Sequence, residues 1–388
     1  MLKPEDVAAL AVDVFQSRFS GVPGSLGLSP GRVNLIGEHT DYNGGFVLPA
    51  AVPYYTTVAW RPRDDARVRV ASHMFDEVYE AAADAAGPLG DFGDYPLGMA
   101  QALGVERGFD AAIASTVPLA AGMSSSAALL LATARAVLAQ DEPDCALSCM
   151  EIARAARRAE NDFVGVPCGL MDQFIVSCAS AGKACLLDCR DETWEEVPAV
   201  LKDARWVVVY SGFQRELTGG DYASKVRESQ AAMAVLAEDS NESPDALRIL
   251  PVDALADACR RAAIADDAAR LLRHFVTENV RVARMRAALL AGDAAAAGAI
   301  LTEGHWSLSR DFRVSLPEID EFVRNCDAVR GVLGVRITGA GFGGSLLALV
   351  SDDDAVTELR TAAAACLPRE HALLEIPGFC EGAMGWKL

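Results

Sequence analysis

The sequence lacks any apolar run that approaches the roughly twenty residues needed to span a membrane. It is also poor in basic residues, since 35 lysines and arginines stand against 54 aspartates and glutamates and give a net charge of −19. Such an acidic excess disfavours a surface for nucleic acid or for an anionic membrane. We therefore expect small-molecule partners, with no nucleic acid and no membrane among them.

No sign of export or of a zinc site is present. Residues 1–19 are amphipathic and interrupted by acidic side chains, which predicts a packed helix rather than a targeting segment. The ten cysteines are scattered at spacings that match no zinc pattern. We expect buried thiols in a reducing cytoplasm.

Two common nucleotide-binding patterns are missing as well. The glycine-rich segment 337–345, ITGAGFGGS, is not followed by the GK[ST] of a Walker A loop. No convincing GxGxxG closes a first strand with an acidic residue downstream, which disfavours a Rossmann dinucleotide site. Glycine clusters more often form a turn than bind a ligand. A phosphate site in this chain must therefore use another loop.

Residues 118–130, PLAAGMSSSAALL, have the order of a phosphate loop, with small residues and three serines directly before a helical run. The first N–H groups of a helix lack intrahelical partners and lie at the positive end of its dipole, so they favour an anion. Gly122 permits close approach of the backbone, and a serine hydroxyl would reach a Mg²⁺ that bridges phosphates. The alternative is an ordinary serine-capped helix.

Residues 31–45, GRVNLIGEHTDYNGG, are too polar for a core strand. Arg32 offers a fixed fork of donors for phosphate, while Glu38, His39 and Asp41 offer hydrogen bonds to hydroxyl groups. The alternative is a turn at residues 43–45 within a solvated loop, and such a turn does not exclude a site just before it.

A single carboxylate, Asp172, stands in the small and apolar segment 164–174, VGVPCGLMDQF. Burial would raise its pKa and a neighbouring guanidinium such as that of Arg32 would lower it, a balance that suits a carboxylate beside a reacting hydroxyl. The alternative is that Asp172 caps a helix that begins at Gln173.

Together these segments resemble the galactokinase family of the GHMP kinase superfamily. Residues 31–42 match the family signature GRxNLIGEHxDY, residues 118–127 match the phosphate loop PxxxGxSSSA, and residues 336–344 match the C-terminal glycine motif. Weaker matches extend the resemblance over nearly the whole chain. It implies an α+β, two-lobed GHMP kinase fold with a ribosomal-S5-like N-terminal lobe, a ferredoxin-like C-terminal lobe and the active site in the cleft. We place the lobes at residues 1–195 and 196–388.

The resemblance also implies the role of each matched residue. Asp172 would face the anomeric hydroxyl of the sugar, and Arg32 would keep it ionised. Whether Asp172 removes a proton early or acts chiefly through its charge is open, because a loose phosphoryl-transfer transition state asks little of a base. The remaining roles are sugar binding by Glu38, His39, Asp41, Gly169 and Tyr222; ATP binding by Gly122, Ser124, Ser125, Ser126, Phe92 and Tyr95; Mg²⁺ binding by Ser126 and Glu160; and closure over the site by Gly339, Gly341 and Gly343.

Three departures from the family pattern bear on specificity. FGDYPLG, residues 92–98, stands where the family usually has WxNYxxG beside the adenine. The phosphate loop has Ala120, Ala121 and Met123 where glycine or serine and leucine are common. Arg215 replaces a frequent histidine, and Ala223 replaces the asparagine that usually follows the tyrosine. These changes affect the adenine site and the rim of the sugar site.

The predicted activity is ATP- and Mg²⁺-dependent phosphorylation of the C1 hydroxyl of α-D-galactose by a cytoplasmic monomer, the first committed step of galactose catabolism. The alternative is a related 1-kinase that acts on arabinose, N-acetylgalactosamine, galacturonate or a cyclitol. A catalytically silent sugar sensor is disfavoured, because such proteins lack residues of the phosphate loop whereas Ser124, Ser125, Ser126, Arg32 and Asp172 are all present.

Hydrophobic periodicity supports a mixed α+β chain. It predicts strands at residues 55–60, 67–72, 109–117, 206–211, 334–338 and 346–350. It predicts helices at residues 125–140, 146–162, 225–236, 251–264 and 266–291.

Overall fold

The computed structural model describes residues 3–119, 121–141, 147–213, 221–240 and 244–388. Its largest sheet has six strands in the order β13-β1-β3-β6-β4-β5. Neighbouring strands are antiparallel except for the parallel pair of β4 and β6. The strands are β1 (Ser25–Asn34), β3 (Pro49–Pro62), β4 (Arg67–Ser72), β5 (Phe75–Ala82), β6 (Phe109–Ser115) and β13 (Met384–Lys387).

Helices cover both faces of this sheet. Side chains alternate between the faces of a strand, and on β3 Val58 and Trp60 pack against helix α3 (Ser125–Asp141) while Ala59 packs against helix α1 (Pro4–Phe19). The helix α2 (Asp94–Ala102) lies beside α3. Every residue of β1 is buried as a result.

Two short helices and a small sheet complete the first half of the chain. The helix α4 (Cys149–Arg158) continues into a π-helical turn (Ala159–Val164), and α5 (Met171–Cys178) follows. The sheet has the order β2-β7-β8, and its strands are β2 (Phe46–Val47), β7 (Lys183–Asp188) and β8 (Thr193–Pro198).

A four-stranded antiparallel sheet in the order β10-β11-β9-β12 organises the second half. Its strands are β9 (Arg205–Tyr210), β10 (Val332–Thr338), β11 (Ser345–Val350) and β12 (Ala372–Glu375). The helices are α6 (Asp221–Ser240), α7 (Pro244–Arg248), α8 (Val252–Arg261), α9 (Asp266–Ala291), α10 (Ala294–Ser307), α11 (Pro317–Cys326) and α12 (Asp353–Cys366), with a π-helical turn (Leu308–Phe312) after α10.

The α+β class predicted from the sequence is confirmed. Strand β4 and helix α9 have the predicted bounds, whereas the predicted helix at 146–162 is divided, because its last turn is π-helical. The lobe boundary near residue 195 stays a prediction. Strand β13, which pairs with β1, was not predicted from the sequence.

The cysteines differ from the expectation in one place. Cys149 on α4 and Cys178 on α5 form a disulfide, with their Cα atoms 5.2 Å apart. The prediction of buried thiols is therefore wrong for this pair, because the packing of α4 against α5 brings together two residues that are 29 positions apart. Among the described residues, no helix combines the length and apolar character needed to cross a membrane.

Candidate active site

The polar signature motif leaves the sheet at the end of β1. Residues 35–45, here called the signature loop, form most of the connection from β1 to β3, and Leu35 and Leu48 are joined by a backbone hydrogen bond of 3.0 Å at its base. Gly37 has a positive φ of 100°, and a Cβ there would lie 2.6 Å from the Phe46 carbonyl oxygen. A 3-10 turn (Asp41–Asn43) then ends at Gly44. A turn is therefore present, but it begins at Asp41, two residues earlier than the turn predicted at residues 43–45.

Arg32 and Asp172 form a bidentate ion pair. The Nε and Nη2 atoms of Arg32 donate to Oδ1 and Oδ2 of Asp172 at 2.7 and 2.6 Å. The Arg32 side chain is 6% exposed and that of Asp172 is 29% exposed, so the carboxylate is the part of the pair that solvent or a ligand can reach. Asp172 lies in the first turn of α5, whose cap is Leu170. The alternative that Asp172 caps a helix beginning at Gln173 is therefore wrong.

The phosphate loop lies against the same ion pair. Arg32 donates through its backbone N–H to the Met123 carbonyl at 3.1 Å and through its side chain to the Gly122 carbonyl. Ser124 directly precedes α3, and its hydroxyl donates to Oδ2 of Asp172. Ser124 is thus more than an ordinary helix cap, because its hydroxyl joins the start of α3 to the Asp172 carboxylate.

Next to this group, the π-helical turn carries a buried carboxylate. Glu160 is 4% exposed, and burial raises its pKa, although a hydrogen bond from Ser126 lowers it. Gln173 Nε2 donates to Oε2 of Glu160 at 2.5 Å, while Gln173 Oε1 has no hydrogen-bond partner in the described part of the chain. Ser126 and Glu160 therefore present neighbouring oxygen ligands of the kind Mg²⁺ prefers. Gln173 was missed at the sequence level, although it directly follows Asp172.

Asp41 and Gly169 are in direct contact. A Cβ atom at Gly169 would lie 1.8 Å from Oδ2 of Asp41, so the approach requires glycine. Burial and repulsion by Asp172 raise the pKa of Asp41 to about 7. The structure thus brings two predicted sugar-binding residues together beside the Arg32–Asp172 pair.

The C-terminal glycine motif forms the turn from β10 to β11 and packs on the signature loop. The Gly339 N–H donates to Oε1 of Glu38 at 2.7 Å. His39 Nε2 lies 3.1 Å from the Ala340 carbonyl oxygen, which accepts only, so this nitrogen carries a proton. Gly339, Gly341 and Gly343 all have positive φ angles, as a left-handed turn between two strands requires.

The two residues predicted for the adenine site have different neighbours. Phe92 stacks on Phe75 with ring centroids 5.0 Å apart. Tyr95 lies in α2, where burial and the charge of Glu160 raise its pKa to about 12. Between them, the buried Asp94 carboxylate accepts hydrogen bonds from three successive backbone N–H groups of residues 89–91. Asp94 therefore fixes the turn that leads into α2.

Some residues that were singled out in the sequence lie outside the part of the chain that the structure describes. Ala120 and Arg215 lie there, as do the side chains of Tyr222 and Ala223, whose backbone belongs to the first turn of α6. Ser125 is the first residue of α3, beside the Ser124 and Ser126 contacts. In the described residues, no group of three or more histidine, cysteine and acidic side chains forms a metal cluster.

Three protein-family models match the chain. They are the galactokinase galactose-binding signature at residues 13–62, the GHMP kinases N terminal domain at residues 94–180 and the GHMP kinases C terminal at residues 285–369. The signature match contains the Arg32 and signature-loop contacts, and the N-terminal match contains the phosphate loop, Glu160 and Asp172.

Curated relatives are similar over most of their length. A galactokinase of Streptomyces coelicolor is 41% identical over 365 residues, which cover 91% of this chain and 92% of that protein. A galactokinase of Thermococcus kodakarensis is 37% identical over 330 residues, which cover 83% of this chain and 88% of that protein.

Solved structures agree with these relatives. The crystal structure of Lactococcus lactis galactokinase complexed with galactose has a TM-score of 0.87 at 31% identity and covers 98% of this chain and 100% of that chain. Methanococcus jannaschii mevalonate kinase, with a TM-score of 0.65 at 18% identity over 92% of this chain and 98% of that chain, shares the fold.

Proposed function

Because the chain belongs to the galactokinase family of the GHMP kinases, we propose that it transfers the γ-phosphoryl group of ATP to the C1 hydroxyl of α-D-galactose. The products would be galactose 1-phosphate and ADP. The observation that carries this proposal is the Arg32–Asp172 ion pair, whose partly exposed carboxylate is joined to the phosphate loop by the Ser124 hydroxyl.

Asp172 would orient the C1 hydroxyl and accept its proton. Both carboxylate oxygens already accept hydrogen bonds from Arg32, but an ionised carboxylate has about four lone-pair positions and retains acceptor capacity. The new bond joins the sugar C1 oxygen to the γ-phosphorus, the bond from that phosphorus to the β–γ bridging oxygen breaks, and ADP leaves. In a loose transition state the proton leaves late, so the aspartate acts first by orientation and charge.

The remaining groups would hold the nucleotide and its metal ion. Ser126 and Glu160 would bind Mg²⁺, which keeps several waters and needs few protein ligands besides phosphate oxygens. When bound, such an ion offsets the charge of the phosphates. The backbone N–H groups at the start of α3 would bind phosphate oxygens, together with Gly122, Ser124 and Ser125. Phe92 and Tyr95 would flank the base.

Galactose would lie beside the signature loop. Asp41 would accept a hydrogen bond from the axial C4 hydroxyl, and Gly169 permits this because it leaves room for the Asp41 carboxylate. Glu38, His39 and Tyr222 would make further sugar contacts. The fit of galactose is supported by the similarity to a galactokinase whose crystal structure contains this sugar.

We further propose that the enzyme acts as a cytoplasmic monomer, in line with a small-molecule kinase that uses ATP as the phosphoryl donor. Sedimentation at concentrations used for catalysis would test the monomeric state. A dimer that dissociates with loss of activity would contradict it.

A sugar panel tests the substrate. ADP release with MgATP would be measured at equal concentrations of galactose, glucose, arabinose, N-acetylgalactosamine, galacturonate and a cyclitol. We expect the highest kcat/KM with galactose. Turnover of only one of the other sugars or the cyclitol would identify the protein as a related 1-kinase. Binding of a sugar without turnover of any would indicate a sensor.

A further inference from the structure

Two buried charged residues from the second half of the chain contact the backbone of the signature loop. Glu278 and Arg336 are both fully buried, one on α9 and the other on β10. Neither was assigned a role from the sequence. Charges are buried in proteins at a considerable cost unless they are paired and hydrogen-bonded, so their contacts are informative.

Glu278 binds the backbone of the loop. Its Oε1 atom accepts hydrogen bonds from the N–H groups of Gly37 and Glu38, at 2.9 and 3.3 Å. Its Oε2 atom accepts from Nε of Arg281, one turn later on the same helix, at 2.6 Å. Burial opposes ionisation, but Arg281 and Arg336 outweigh it and lower the pKa of Glu278 to about 2. A carboxylate therefore faces the loop at neutral pH.

Arg336 holds the same loop from the other side. Its Nη1 atom donates to the Leu35 carbonyl at 2.9 Å. Its Nη2 atom lies 3.5 Å from Oε1 of Glu38 and 3.8 Å from Oε1 of Glu278. The guanidinium is thus shared between a backbone carbonyl, a predicted sugar-binding carboxylate and Glu278.

A third side chain, that of His274, binds the backbone carbonyl of Glu38. His274 lies one turn before Glu278 on α9, and its Nε2 atom lies 2.9 Å from the Glu38 carbonyl oxygen. That oxygen only accepts, so Nε2 donates, and Nδ1 accepts a hydrogen bond from the Ser307 hydroxyl at 2.9 Å. Both backbone groups of Glu38 therefore bind side chains of α9.

We propose that Glu278 is a positioning residue of the sugar site, which fixes the direction of the Glu38 and His39 side chains by binding the N–H groups of Gly37 and Glu38. Arg336 completes this support through Leu35 and Glu38. The inference rests on the proposed function, since it assigns the signature loop to the sugar. Displacement of a binding group by about 1 Å is enough to reduce activity by about two orders of magnitude.

The test compares two substitutions of Glu278 with a matched control. Glu278→Asp keeps the charge but shortens the side chain by one methylene, so the carboxylate withdraws from the loop. Glu278→Gln keeps the length and one carbonyl acceptor but removes the charge. The control is Glu303→Gln, which breaks a half-exposed pair between α10 and Arg284 of α9.

Glu278→Asp should raise KM for galactose by about tenfold or more and leave KM for ATP within about twofold of the wild-type value. Glu278→Gln should retain a galactose KM nearer that of the wild type yet lose more stability, because it leaves two arginines short of a counter-charge. Glu303→Gln should change neither KM. A galactose KM within about twofold of the wild type in folded Glu278→Asp would overturn the proposal.

Amide hydrogen exchange supplies a readout that does not depend on activity. We expect faster exchange at Gly37 and Glu38 in Glu278→Asp and unchanged exchange in Glu303→Gln. If the wild type phosphorylates no sugar, the proposed function fails, and exchange alone then decides the positioning role. Unchanged exchange at these two amides would reject it.

Discussion

The Arg32 guanidinium donates to both carboxylate oxygens of Asp172, at 2.7 and 2.6 Å, and thereby joins β1 to the first turn of α5. These two hydrogen bonds restrict the rotation of the carboxylate, and the hydroxyl of Ser124 in the phosphate loop also donates to it. The proposed role of Asp172, to orient a hydroxyl for phosphoryl transfer, requires a carboxylate held in this way.

Asp172→Asn should lower kcat by about 10²- to 10⁴-fold, because an amide neither accepts the hydroxyl proton nor supplies the negative charge. The protein should remain folded, since asparagine still offers one oxygen to Arg32. Steady-state rates with MgATP and galactose measure the effect.

A matched control is Asp110→Asn, which removes the charge from another buried carboxylate that is bound by Arg61, Arg63 and Arg69 on the far part of the first sheet. It should lower stability and leave kcat per folded molecule unchanged. An active Asp172→Asn variant with wild-type kcat would contradict the assigned role.

Asp41 should give the sugar reaction a pH dependence near neutrality. Its pKa is raised to about 7 by burial and by the Asp172 charge, and the ionised form is the better acceptor for a sugar hydroxyl. We expect kcat/KM for galactose to rise with pH and level off above about pH 7, and Asp41→Asn to remove this inflection. A flat wild-type profile from about pH 5 to pH 9 would argue against Asp41 as the titrating group.

The same pKa predicts an effect on stability. An unfolded aspartate titrates near pH 3.9, so between about pH 4 and pH 7 the folded state holds a proton that the unfolded state has lost. The contribution of Asp41 to the free energy of unfolding therefore falls as the pH rises through this window. Asp41→Asn should be more stable than the wild type at about pH 8 and nearly equal to it at about pH 4, as measured by urea unfolding.

Gly169→Ala should weaken sugar binding with little loss of stability. The added Cβ would lie 1.8 Å from Oδ2 of Asp41, and the carboxylate can rotate away because it is the end of a side chain. We expect KM for galactose to rise by about tenfold. Gly87→Ala is the control, because a Cβ there meets no atom within 4 Å. Equal galactose KM values for the two variants would disprove the contact.

Asp94→Asn should impair nucleotide binding although it restores the residue usual in the family. Oδ2 of Asp94 accepts from the N–H groups of Gly90 and Asp91, and Oδ1 accepts from Leu89 N–H and the Tyr79 hydroxyl. An amide offers only one oxygen, so one of these pairs would face an NH₂ group at a cost of about 1–3 kcal/mol.

In that variant KM for ATP should rise severalfold while KM for galactose stays unchanged, because residues 89–91 lead into Phe92 and Tyr95. Asp352→Asn serves as the control, since Asp352 accepts the Ala355 N–H at the exposed start of α12. A gain in ATP affinity with Asp94→Asn would show that the family residue is also preferred here.

Local patterns predicted much of the fold. Strand β4 follows from an alternating run, and helix α9 from apolar residues at helical spacing. The bidentate partner of Asp172 was predicted by resemblance and lies at the expected contact. The strand and the helix depend on short segments whose residues carry their own structural preference, whereas the Arg32–Asp172 contact spans 140 residues and was expected only from the family resemblance.

Contacts distant in sequence were not predictable in the same way. Glu278 accepts the Gly37 N–H across 241 residues, and only the packing of α9 behind the signature loop brings them together. Nothing in the spacing of Cys149 and Cys178 indicates their pairing, and β13 returns to β1 from the other end of the chain. Residues 274–281, HFVTENVR, contain a partial signal that the sequence analysis did not use, since they place a histidine, an acid and an arginine on one face of a helix otherwise rich in buried residues.

The phosphate position in the product tests the central claim most directly. The wild-type protein would be incubated with MgATP and galactose, and the product analysed by phosphorus NMR with coupling to the sugar protons. The proposed placement of the Asp172 carboxylate at the anomeric hydroxyl predicts one sugar phosphate whose phosphorus couples to the anomeric proton, with one ADP formed for each molecule. A phosphate coupled to the C6 protons, or ADP release without any sugar phosphate, would contradict it.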